Sequence, residues 1–147
     1  MRYLPLLLLA ACAANVDPPS RYSAVTPAGV RADLQGAEID LEAVDRAVAA
    51  FEACAGTELP EWRLLVNDEW FVNYTGNQVW ACEWAPPGRY CAGTTYTAME
   101  PQVVELPPDM HSLGHELIHL ITDKSHDSPL FGGPCEDIRL DRGAQSR

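Results

Sequence analysis

Between residues 115 and 119 the chain reads His-Glu-Leu-Ile-His, and this run constrains the fold more than any other feature. An α-helix turns once in about 3.6 residues, so side chains four apart stand one turn above each other on the same face. His115 and His119 can then bind one ion between them. Glu116 points about 100° round the helix, towards the open side of such a site, where it can accept a proton from water on the metal. Met110, Leu113, Leu117, Leu120 and Ile121 recur at helical spacing and form a stripe to be buried. The spacing therefore predicts an amphipathic helix over residues 109–122. The competing reading is an ordinary helix with two surface histidines.

A catalytic zinc needs a third protein ligand. His111 is eight residues from His119, about 12 Å along a helix, so it cannot share the ion with both. His126 could reach only if the helix ended near residues 122–124 and the chain turned back, and Pro129 opposes a longer helix. Glu136, Asp123 and Asp127 are the acidic alternatives. Tyr90, Tyr96, His111 and Arg139 are candidates to stabilise an oxyanion, each also readable as ordinary core or surface.

Elsewhere the pattern is mixed. Asp40 precedes Leu41, Val44, Ala47, Val48 and Phe51, and Gly56 follows, which predicts a capped helix over 41–55. Aromatic, Val and Thr residues predict strands at 62–66, 71–72, 78–82, 90–97 and 102–106, the last stopped by Pro107-Pro108. The order helix, strands, helix is α+β: a small, mostly antiparallel sheet packed on the two helices. Trp62, Trp70, Trp80 and Trp84 fall in the strand region and are expected in the core.

The chain begins Met-Arg-Tyr, then runs almost wholly apolar to Leu9-Ala10-Ala11-Cys12. This resembles a bacterial lipoprotein signal peptide, which implies cleavage after residue 11 and lipidation of Cys12. Residues 12–28, rich in proline, read as a tether, and 29–147 as the folded domain. Ala13 after the cysteine, by the same resemblance, implies the outer membrane. Four cysteines remain, an even number suited to an oxidising compartment. Of three pairings, Cys82–Cys91 with Cys54–Cys135 is favoured, because the segment between Cys82 and Cys91 is rich in turn residues. With 10 Lys and Arg against 21 Asp and Glu, the net charge is −11, which excludes nucleic acid as a partner. It also leaves the lipid as the only membrane contact.

The segment HELIHLITDKSHDSPLF, His115 to Phe131, resembles the zinc-binding segment of zincin metallopeptidases, most nearly that of the SprT-like and WLM-type proteins. The resemblance implies that His115, His119 and His126 bind Zn2+, that Glu116 is the general base, and that Phe131 packs behind the third histidine. It implies a zincin-like domain whose edge strand aligns a peptide or protein substrate beside the metal. Thr122 and Ser125 stand where metzincins carry Gly and His. The alternative is a zinc-binding lipoprotein without catalysis, a degenerate zincin acting as a scaffold or interaction module.

Overall fold

A computed structural model describes residues 21–122 and 125–140; Cys12, the signal segment and Asp123 lie outside them. The first helix, α1, spans Leu41–Ala55. Asp40 caps it by accepting from the Ala43 amide at 3.0 Å, and Gly56 ends it at φ 70°, its amide bonded to Glu52 O at 2.9 Å. Both ends are set by residues that suit those backbone states. Ala43, Val44, Ala47 and Phe51 face inward.

Nine elements lie along the described chain. Strands β1 (Ala24–Val25) and β2 (Arg31–Asp33) precede α1; β3 (Trp62–Val66), β4 (Phe71–Val72), β5 (Gln78–Val79), β6 (Thr94–Tyr96) and β7 (Gln102–Leu106) follow it; α2 (Leu113–Ile121) comes last. Five strands form one sheet in the order β1-β2-β3-β7-β6, and β4 and β5 pair separately. The architecture is α+β, as the pattern predicts, but the sheet is mixed and not mostly antiparallel. β2 runs parallel to β3 and β3 parallel to β7, while β1–β2 and β6–β7 are antiparallel. The cause is connectivity. Parallel neighbours need a crossover; α1 supplies it between β2 and β3, and residues 67–101 supply it between β3 and β7.

Two further differences matter for the site. β1 lies inside the segment read as a tether, and Tyr22 and Thr26 beside it are buried. The helix expected from residue 109 starts at Leu113. Met110, fully buried, takes φ 46° and so breaks helical geometry just upstream.

Trp62, Leu64 and Val66 of β3 join Val104 and Leu106 of β7, Phe51 of α1, and Leu113, Leu117 and Ile118 of α2 in one apolar cluster. Two disulfides cross-link the fold: Cys54–Cys135, whose Cys135 belongs to that cluster, and Cys82–Cys91. The second closes a loop whose base is pinned by paired backbone bonds between Trp80 and Cys91, at 3.0 and 2.9 Å.

Candidate metal centre

Burying one stripe of α2 turns His115 and His119 towards the surface, both half-buried. The helix ends at Thr122, which turns to extended backbone, and the chain comes back. Nε2 of His126 then lies 3.3 Å from Nε2 of His115. The ring centroids of His115, His119 and His126 are 4.9 to 5.2 Å apart. One ring nitrogen from each lies within 4.8 Å of the others, a cluster that can hold a metal ion. The Phe131 ring sits 4.8 to 5.1 Å from all three and so packs against the whole cluster.

Two nitrogen atoms at 3.3 Å cannot both carry a hydrogen on the facing side. Here the arrangement of hydrogens is settled from behind. Nδ1 of His115 is 2.6 Å from Oε1 of Glu136. A carboxylate offers only lone pairs, so Nδ1 carries a hydrogen, and in the neutral ring Nε2 then presents a lone pair to the cluster. Neutral imidazoles in this state are the donors that zinc and other borderline cations take. Glu136 is thus not a third ligand beside His115 and His119: it holds His115 from the opposite side of the ring. The hydrogen bond from His115, with a second from the Gly132 amide, lowers its pKa below the usual carboxylate value. Asp127 likewise stands outside the cluster.

Glu116 is 4% exposed. Its Oε2 accepts from the Thr95 hydroxyl at 2.8 Å, which brings β6 against α2. Burial pushes its pKa up, and the Thr95 bond and the charge of His115 pull it back. Gly93 makes the approach possible. A Cβ there would lie 2.5 Å from Cγ of Glu116 and 2.7 Å from Oγ of Ser112. The Ser112 hydroxyl donates to Ala92 O at 2.6 Å, fastening the start of α2 to the same stretch.

These residues line a cleft of about 420 Å³, walled by Gly93, Thr94, Thr95 and Thr97 on one side and by Trp84 on another. A second depression of about 410 Å³ shares Trp84, Gly93, His115 and Glu116 with it. Tyr90, His111 and Arg139 border that second depression. Tyr96 does not: its hydroxyl donates to Glu105 Oε2 at 2.5 Å, and burial with this bond raises its pKa. His111 is oriented by Asp109, Nδ1 to Oδ1 at 2.8 Å.

The tryptophans divide. Trp62 and Trp80 are buried, but Trp84 is 68% exposed and Trp70 39%. The disulfide-closed loop carries Trp84 outward, where a core reading of aromatic composition does not place it. Sequence reasoning also passed over Thr95 and Gly93; a glycine within a strand pattern signals close backbone approach, and Gly93 has that use here. No family model, curated protein or solved structure matches the chain.

Proposed function

We propose that the chain is a zinc-dependent metallopeptidase of zincin type, hydrolysing peptide bonds in an exported compartment. The observation that carries this reading is the convergence of His115, His119 and His126 within 4.8 Å, with the carboxylate of Glu116 buried next along the helix from the first of them. The donor set fits zinc: three imidazoles, one of them held in its metal-binding tautomer by Glu136. Zinc bound there supplies a water acidic enough to yield a nucleophile near neutral pH.

The chain's own residues do the rest. Glu116 takes the proton, and a carboxyl whose pKa burial has raised suits proton acceptance better than an ordinary one. Thr95 holds that carboxylate in place. β6 ends the sheet order, so among the described residues its outer edge offers main-chain groups to an extended peptide running past the cleft. Tyr90, His111 and Arg139 border the second depression and are the candidates to meet a developing oxyanion. The two disulfides support an oxidising compartment. Lipidation at Cys12 and outer-membrane anchoring belong to the same proposal and rest on residues 1–12 alone.

One observation favours a second reading, a zinc-binding scaffold without catalysis. The segment after His126 backs the histidine cluster through Glu136 and is not among the residues walling the first cleft. The Glu116→Gln variant separates the readings. A peptidase loses hydrolysis of an unfolded protein substrate while keeping one zinc per chain. Zinc bound with no hydrolysis by the unmutated chain supports the scaffold, and equal turnover by Glu116→Gln removes Glu116 from the mechanism.

A further inference from the structure

We infer that the Cys54–Cys135 disulfide governs the metal affinity of the histidine cluster, acting through Glu136 as the positioning residue for His115. The inference rests on the reading of the cluster as a metal site, and not on hydrolysis.

The path is short and each link is visible. Glu136 fixes the tautomer and orientation of His115 through the bond of 2.6 Å to Nδ1. Its other carboxylate oxygen accepts from the Gly132 amide, and its own amide bonds to Gly133 O at 3.1 Å. The carboxylate is therefore rigid within residues 132–136. Leu130, Phe131 and Ile138 of that segment pack against the core, but its main chain is joined to the rest of the fold at few points. Among the described residues, one backbone–backbone bond enters residues 128–138 from outside, Gly114 N to Ile138 O at 3.0 Å. Gly114 also leaves room for the chain to lie against α2: a Cβ there would be 2.5 Å from Cys135 O and 2.6 Å from Glu136 O. The remaining covalent tie is the sulfur of Cys135, the residue directly before Glu136, bonded to Cys54 in the last turn of α1.

Cys135 is 4% exposed, whereas Cys54 lies at an exposed position, so a reductant can approach from the α1 side. A dithiol gives two electrons and two protons to the bridge. The sulfur–sulfur bond breaks, Cys54 and Cys135 become thiols, and the dithiol becomes a disulfide. The segment is then tethered by one backbone bond and its partly buried apolar side chains, and Glu136 is no longer fixed behind His115. Loss of such an outer carboxylate weakens metal binding by about 10- to 100-fold. Linkage makes the effect reciprocal: zinc must favour the oxidised bridge by the same factor.

The test measures zinc affinity of the full exported chain by competition with a chromophoric chelator, using zinc chloride alone. Cys54→Ala/Cys135→Ala is expected to bind at least tenfold more weakly than the parent. Glu136→Ala, with its bridge intact, is expected to show a similar loss, and adding the cysteine pair to it to change affinity less than twofold. The reciprocal readout is the reduction potential of the bridge in a Cys82→Ala/Cys91→Ala chain. Saturating zinc should lower it by about 30 mV for each tenfold of coupling, and in the Glu136→Ala background this shift should vanish. Should the cysteine variant fail to fold, the potential carries the test alone. Unchanged affinity, independent additive losses, or a zinc-insensitive potential overturns the inference while leaving the metal site standing. A parent chain that takes up no zinc overturns the metal reading as well, and its absent stoichiometry distinguishes that case.

Discussion

One methyl group separates glycine from alanine at position 93, and Glu116 is what that methyl would strike. The Cβ would lie 2.5 Å from Cγ and 2.6 Å from Oε1 of Glu116, far inside ordinary contact distance. Glu116 is 4% exposed and bonded to Thr95, so moving off the methyl displaces the carboxylate from that bond. The three histidines are positioned by other means: two by α2, one by the return of the chain at residue 126. Gly93→Ala is therefore expected to separate chemistry from metal binding. Turnover should fall on the order of 100-fold, the usual consequence of moving a catalytic group by about 1 Å, with zinc content unchanged. Parallel peptide hydrolysis and metal analysis check this; undiminished kcat would mean that Glu116 is not where the reaction needs it.

Elements were legible from sequence where their ends are specified locally. α1 carries both its start and its stop in its own residues, and the range read from them, 41–55, is the range observed. Asp40→Ala removes the bond to the Ala43 amide and is expected to cost about 1 kcal/mol, measured by urea denaturation; no change in midpoint would show that the helix is held by packing alone. α2 illustrates the opposite case. Its apolar stripe was plain, but its first residue was not, because the left-handed turn at Met110 depends on how the Pro107–Met110 turn seats in the core. β1 and β2 have two and three residues, too short for any alternation to register; β2 is placed by its pairing with β3, and β1 by its pairing with β2. The candidate site divides in the same way. His115, Glu116 and His119 share one helix turn, so their relation is a matter of spacing. Thr95 reaches Glu116 from 21 residues away and Glu136 reaches His115 across the same separation; such encounters follow from tertiary placement, on which local pattern is silent.

At the scale of the whole molecule, the arrangement depends on two cross-links of unequal reach. Cys54–Cys135 closes a loop of 81 residues and Cys82–Cys91 one of 9. The larger loop encloses β3 to β7 and α2, hence most of the core and every residue of the histidine cluster. The smaller one fixes only the excursion that carries Trp84. A cross-link stabilises chiefly by restricting the unfolded chain, and the restriction grows with the logarithm of the loop. In that limit the long bridge is worth about 4.5 kcal/mol and the short one about 2.6 kcal/mol. Cys54→Ala/Cys135→Ala should therefore lower stability by roughly 2 kcal/mol more than Cys82→Ala/Cys91→Ala. The comparison is made by urea denaturation of the metal-free chains, so that ligand binding does not enter. If the short bridge proved the more stabilising, the segment from residue 125 onward would have to be held by its packing of Leu130, Phe131 and Ile138 on the core. Glu136 would then stay behind His115 without help from Cys135, and stability and metal affinity would part company. If the long bridge dominates, the covalent link that closes the fold is also the one whose Cys135 directly precedes Glu136, the partner of His115 Nδ1.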